Sequence, residues 1–259
     1  MGRRTAGIIL EARNVSKVYG SGENARVALR DINLEIREGE LILLLGPSGC
    51  GKTTFLNMVA GFLTITDGNL ECRGRPVGRP EPSRGVIFQD ATLFPWMTVK
   101  ENLLFGPKMR GLLEKNGKEE YERRARELLE MANLTGFENH LPRELSGGMR
   151  SRAALIRTLI NDPDILLADE PFASLDAYTK EALQDVFLDI WEKINSTILF
   201  ITHDIEEAVY LADKICVMTH APGTIKSMVD IELKRPRDRY SEEFSEYRKR
   251  IYELVKPEL

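Results

Sequence analysis

The chain has 259 residues, 42 % apolar and 29 % charged, which suits one large α/β domain, or one domain with a helical insert, and excludes a disordered chain. Its 36 Lys plus Arg against 40 Asp plus Glu give a formal charge of -4, which excludes a bulk binder of nucleic-acid phosphates. Apolar runs reach only about five residues, as at Leu41–Leu45, against the ~20 that a membrane-spanning helix needs.

In chain order, Ile8–Val15 and the alternating Ile32–Ile36 read as strands, and Leu41–Leu45 as a buried strand. A helix is expected within GKTTFLNMVAG, stopping near Gly61. Short strands follow at Gly68–Cys72 and Gly85–Phe88. Residues 96–162 read as mostly helical. Thr98 and Glu101 form a capping box for a helix through Leu104. Tyr121, Ala125, Leu128, Leu129 and Ala132 fall at helical spacing, and a third helix is expected from Ser146 through Ala153, Ile156 and Ile160. Strand–helix alternation then returns: ILLA at 165–168, a helix through Leu183, Phe187, Trp191 and Ile194, TILFIT at 197–202, and a helix from Asp204. This order predicts a mainly parallel sheet with right-handed crossovers. The tail carries a strand-like start near 224, the basic cluster KRPRDR at 234–239, and a short helix whose Phe244, Tyr247 and Ile251 pack back on the domain.

Three motifs carry chemistry. GPSGCGKT, Gly46 to Thr53, fits G-x-x-x-x-G-K-[ST] and lies between a buried strand and a helix. Its residues Gly46, Pro47, Ser48, Gly49, Cys50 and Gly51 curl so that successive N–H groups face one concavity, and the helix N-terminus adds partial positive charge. Lys52 brings a full charge for the β- and γ-phosphates of a nucleotide, and Thr53 a hydroxyl for Mg²⁺; the loop alone does not distinguish a kinase, a GTPase or a motor. ILLADE places Asp169 and Glu170 at the end of a buried strand; one carboxylate there suits Mg²⁺ and its neighbour suits activation of water. LSGGM, 145–149, places Ser146, Gly147 and Gly148 at a helix start, again an anion-binding geometry. The cysteines, Cys50, Cys72 and Cys216, are scattered and read as reduced structural thiols. Alkylation of Cys50, inside the phosphate loop, is expected to block the nucleotide.

Taken together, these motifs resemble those of the ATP-binding cassette (ABC) ATPases over roughly residues 8–225. The resemblance includes the phosphate loop, Gln89 in VIFQD, LSGG at 145–148, ILLADEP at 165–171, SLD at 174–176 and His203 in ITHD, all in family order. It implies a P-loop NTPase core, mainly parallel sheet flanked by helices, with an N-terminal antiparallel β part and a helical insert. The core would be 1–95 and 163–225, the helical subdomain 96–162, and the tail 226–259. It further implies that Tyr19 stacks on adenine beside a loop extending to Thr54. Gln89 would contact Mg²⁺ or the attacking water, Asp169 hold Mg²⁺, Glu170 act as general base and His203 contact the γ-phosphate. Asp176 would link two subunits. A second copy would cover the ATP with its own Ser146, Gly147 and Gly148. Met149, Ser151 and Ser174 depart from common family residues.

One cassette without a fused membrane domain resembles an importer subunit. LSGGMR, APGTI at 221–225 and RPRD at 235–238 are similar to the nitrate, sulfonate, taurine and thiamine-precursor importer subfamily. The implied partners are integral membrane permease subunits and, through them, a solute-binding protein, with no nucleic acid. MGRRTAGIIL lacks a secretory apolar core, and Ala6 breaks the myristoylation pattern, so a cytoplasmic chain peripheral to the membrane is expected. Phe94, Pro95, Trp96 and Met97 are expected to form an exposed apolar patch that seats a helix of the membrane subunit. The alternatives are a cassette ATPase of DNA repair or translation, the ATP-binding subunit of an exporter, and a binding module without turnover.

Overall fold

The computed structural model describes residues 7–115 and 117–256. The expectation placed on residues 1–6, and the last three residues of the tail, lie outside them. In chain order the elements are β1 (Ile8–Tyr19), β2 (Arg26–Arg37), β3 (Leu41–Leu45), α1 (Lys52–Ala60), β4 (Asp67–Cys72), β5 (Arg75–Pro76), β6 (Arg84–Ile87), α2 (Val99–Met109), α3 (Leu112–Lys115), α4 (Lys118–Met131), α5 (Gly147–Leu159), β7 (Ile165–Asp169), α6 (Ala177–Ile194), β8 (Thr197–Thr202), α7 (Ile205–Leu211), β9 (Lys214–Met218), β10 (Ile225–Asp230) and α8 (Glu242–Val255). They divide into two compact units, one running to Glu81 and resuming at Thr197, the other Pro82–Ser196.

The first unit holds an antiparallel sheet in the order β2-β1-β4-β5. β1 runs past Val15 to Tyr19 because β2 keeps pairing with it as far as Tyr19 opposite Arg26. The outward, inward rhythm of β2 buries Ile32, Leu34 and Ile36. The unit's parallel strands centre on β3, which lies between β8 and β9, and β10 closes antiparallel on β9. All five residues of β3 and all six of β8 are buried, as parallel strands covered on both faces demand. β9 was not among the expected strands. KICVM shows no alternation, and only Ala212 and Asp213 separate it from α7. The tail helix α8 packs on α7 and β9 with Phe244 and Ile251 fully buried, as expected. Removing an aromatic ring from such a position costs roughly 3–5 kcal/mol.

The second unit pairs β6 and β7 in parallel, Arg84 opposite Ile165 through Ile87 opposite Ala168. α2, α4, α5 and α6 accompany them. The capping box forms: the Glu101 amide donates to Thr98 Oγ1 at 3.2 Å, and the Thr98 amide to Glu101 Oε2 at 2.8 Å. α2 runs beyond Leu104 to Met109, carrying a buried Pro107. α4 buries Tyr121, Ala125, Leu128 and Leu129 as one stripe. The mixed α/β architecture with an antiparallel β part and a helical region is the one expected. Among the described residues, no helix is long and apolar enough to cross a membrane.

Candidate functional site

In the first unit, β3 ends at Leu45 and the chain curls through Gly46–Gly51 into α1. The Cys50 amide donates to the Pro47 carbonyl at 3.3 Å, and the Phe55 amide to the Gly51 carbonyl at 2.9 Å. Gly51 has φ +99°, and a methyl group there would stand 2.5 Å from Leu29 Cδ2, so only glycine fits. The Lys52 side chain is 6 % exposed, and its ammonium donates to the Gly46 carbonyl at 2.7 Å and the Pro47 carbonyl at 3.1 Å. This places one full positive charge inside the curl of the loop. Ser48, Gly49 and Thr53 are exposed. Tyr19, at the end of β1, is 41 % exposed, and its hydroxyl lies 3.3 Å from Thr54 Oγ1.

The strand register places His203. Leu45 stands opposite Thr202 in the parallel β3–β8 pair, so Gly46 and His203 leave the same end of adjacent strands. His203 is exposed and directly precedes Asp204, the N-cap of α7. The Asp204 amide donates to Thr202 Oγ1 at 3.0 Å, while Asp204 Oδ1 accepts from the amides of Glu206 at 2.9 Å and Glu207 at 3.2 Å. The turn carrying the histidine is therefore tied at both ends.

Cys50, whose alkylation is expected to block the nucleotide, is buried inside the loop. It is 1 % exposed, its Sγ faced by Gly46 and the ammonium of Lys52 at 3.8 Å. Burial pushes its thiol up, and the Lys52 charge only partly offsets this. The residue contributes backbone to the loop while its thiol is withheld from reagents. Behind the loop, Gly223 of APGTI pairs with β2: the Arg30 amide donates to its carbonyl at 3.0 Å, and its own amide donates to Ala28 at 2.9 Å. The sequence reading used APGTI only as a subfamily marker. A glycine after proline was the one available sign of a close backbone approach.

In the second unit, Ile87 lies opposite Ala168, so Gln89 and the pair Asp169–Glu170 emerge from the same end of β6 and β7. Gln89 is exposed; Asp169 and Glu170 are half-buried. Glu170 has φ +46°, a left-handed backbone that costs a non-glycine residue about 1 kcal/mol and is characteristic of functional sites. Ser146 caps α5 by accepting from the Met149 amide at 3.3 Å. Asp176 caps α6 by accepting from the Thr179 amide at 3.0 Å, and this hydrogen bonding holds its carboxyl below the usual range. The two caps are neighbours. A methyl group on Gly148 would meet Thr179 Cγ2 at 2.9 Å, and one on Gly147 would meet Leu175 at 3.5 Å.

The patch at 94–97 is as expected at its tip. Trp96 is 71 % exposed and Pro95 is exposed, whereas Phe94 and Met97 are half-buried. The Phe94 ring lies 4.6 Å from Phe105 and 5.2 Å from the Arg157 guanidinium. Asn102, fully buried on α2, fastens this loop: its Oδ1 accepts from the Phe94 amide at 2.8 Å, and its Nδ2 donates to the carbonyls of Phe94, Met97 and Thr98 at 3.0 to 3.2 Å. Asn102 was not anticipated. Its one sign in the sequence was an amide on the face of α2 that otherwise buries Val99 and Leu103.

Within the first unit, then, Tyr19 reaches Thr54, and the phosphate loop and His203 leave the same end of adjacent strands. Within the second, Gln89 joins Asp169 and Glu170, and Ser146, Gly147 and Gly148 join the turn bearing Asp176. Residues 29–173 match the family described as ABC transporter. The chain is 47 % identical over 250 residues (96 % of this chain, 92 % of the other) to an uncharacterized ABC transporter ATP-binding protein of Methanocaldococcus jannaschii. It is 39 % identical over 237 residues (92 % of each) to an aliphatic sulfonates import ATP-binding protein of Bacillus cereus. It is 45 % identical over 217 residues (83 % and 80 %) to a taurine import ATP-binding protein of Jannaschia sp.. Among solved structures, a dimeric ATP-binding cassette in a post-hydrolysis state with ADP and Pi aligns with a TM-score of 0.68 at 31 % identity, covering 87 % of this chain and 100 % of that one.

Proposed function

Because the chain belongs to the ABC transporter family as an ATP-binding subunit with ATPase activity, we propose that it powers import of a small sulfonate- or taurine-like solute, nitrate included. The likeness to sulfonate and taurine import subunits over most of the chain carries this reading. Separate permease subunits would form the pathway, and a solute-binding protein would deliver the cargo. The chain would sit at the cytoplasmic face of the membrane, held there by the permease, and would not engage nucleic acid.

In this reading the site divides its labour by chemistry. Tyr19 stacks on adenine, and the loop Gly46–Gly51 holds the phosphates with its amides. The Lys52 ammonium, already inside the loop, neutralises the β- and γ-phosphates. Thr53, Gln89 and Asp169 would each offer Mg²⁺ an oxygen, the donor type it takes while retaining waters. The metal would neutralise phosphate charge. Glu170 takes a proton from the attacking water, and His203 contacts the γ-phosphate. Ser146, Gly147 and Gly148, with Asp176 beside them, act on the nucleotide of a second copy. The helical subdomain is residues 96–162, the RecA-like core with its β subdomain is 1–95 and 163–225, and Trp96 seats a helix of the permease.

Co-expression with candidate permease subunits in vesicles tests the assignment. ATP hydrolysis should rise several-fold when a binding protein loaded with a sulfonate, taurine or nitrate is added. Stimulation only by an unrelated solute would overturn the solute class. Stimulation by nucleic acid without permease would overturn the transport reading.

A further inference from the structure

The basic cluster 234–239 has no part in the nucleotide chemistry above, and its arginines do not form a solvated patch. Arg237 is 5 % exposed. Its guanidinium donates to the carbonyls of Val209 at 2.6 Å, Tyr210 at 3.0 Å, Leu233 at 3.2 Å and Ile231 at 3.3 Å. Arg235 donates to the Leu211 carbonyl and pairs with Asp213 at 2.8 Å. The Arg239 guanidinium lies 3.3 Å from the centre of the Tyr210 ring. Val209, Tyr210 and Leu211 form the last turn of α7.

The last carbonyls of a helix lack partners within it and attract cations. Here the cations arrive from a distant stretch of chain. Burial pushes the Arg237 guanidinium down to about 10, with the neighbouring Arg235 charge adding to the effect, so it remains charged at neutral pH. α7 is seven residues long, too short to persist without such support. Its first turn is held as well. Glu206 pairs with Arg248 of α8 at 3.5 Å, and α8 is itself anchored by the fully buried Phe244 and Ile251. Along this contact His203, Asp204 and Glu206 face Arg248, Lys249 and Tyr252 across a groove of about 560 Å³.

We propose that the segment 235–252 is a brace for α7, and that Arg237 and Arg248 are positioning residues that set where His203 stands beside the phosphate loop. The tail thereby controls turnover without touching the nucleotide. This rests on the reading of His203 as the γ-phosphate contact, and the test separates the two.

Full-length Arg248→Glu, Arg237→Lys and the charge swap Glu206→Arg/Arg248→Glu are compared with the unsubstituted chain. The readouts are kcat and KM for MgATP and the ring resonance of His203 in histidine-labelled protein, assigned with His203→Ala. Arg248→Glu and Arg237→Lys should each lower kcat about fivefold with KM within about twofold. Each should move the His203 resonance while those of His140 and His220 stay in place. The swap should restore both quantities. Unchanged kcat with an unmoved His203 resonance in both single variants overturns the proposal. So does a kcat loss that follows only the folded fraction, or one in Arg248→Glu that the swap fails to repair. A moved resonance with unchanged kcat supports the brace but overturns the control of turnover, and with it the assigned role of His203.

Discussion

Gly223 and the Cys50 carbonyl meet backbone to backbone: a methyl group on Gly223 would stand 1.9 Å from that oxygen. A backbone atom cannot swing aside as a side-chain tip can, so the phosphate loop must move when this position gains a side chain. Gly223→Ala should therefore weaken binding of a non-hydrolysable ATP analogue about tenfold, or ~1.4 kcal/mol. Calorimetric titration measures it. Affinity unchanged within a factor of two would show that the loop is not seated on Gly223.

Glu170, the proposed general base, can keep its backbone and lose only its carboxylate. Glu170→Gln should retain ATP affinity while turnover falls by roughly 10²–10⁴, the worth of a positioned general base. The variant should also accumulate as an ATP-bound dimer, read by size-exclusion chromatography with light scattering. Turnover near that of the unsubstituted chain would assign the base elsewhere.

Trp96 is exposed on a loop that Asn102 fastens at four points. Trp96→Glu should leave folding and ATP binding intact and abolish co-purification with permease subunits. Asn102→Ala should act differently. It strands buried amide and carbonyl groups, so it should lower stability by about 1–3 kcal/mol in denaturant titration. Retained assembly in Trp96→Glu would remove the loop from the interface.

Cys50 is pushed up by burial, and Cys216, at the centre of β9, is pushed up to about 12. Thiol reagents attack the thiolate, which both groups hold at negligible population near neutral pH. At pH 7.5 the native chain should leave Cys50 and Cys216 unlabelled over minutes, and Cys72 as well because it is buried, while urea-unfolded chain labels fully. Labelling of native chain should rise with pH. Mass spectrometry after alkylation decides, and fast native labelling of Cys50 would contradict its burial.

Much of this was legible in residues alone, and the reason is local. β3 and β8 were bounded correctly because each is a continuous apolar run between polar residues. The caps at Thr98 and Ser146 follow from side chains that bond amides three residues on. β9 escaped notice because its identity as a strand lies in pairing with β3, 172 residues earlier, and not in any alternation of its own. The far end of β1 escaped for the same reason, since its partner β2 supplies it. Of the candidate site, each motif lay on the expected element. Gly223, Asn102 and Arg237 did not announce themselves, because each acts through a contact between segments distant in sequence or through backbone atoms that no motif encodes.

Leu45 opposite Thr202 has a further consequence for how the site fails. β3 and β8 are buried along their whole lengths, and amides in such a ladder exchange with solvent only when the entire unit opens. The loop Gly46–Gly51 and the turn that bears the histidine hang from this one ladder. On warming they are lost together, in a single cooperative event, and hydrogen exchange at Leu44 and Ile201 should report the same opening free energy.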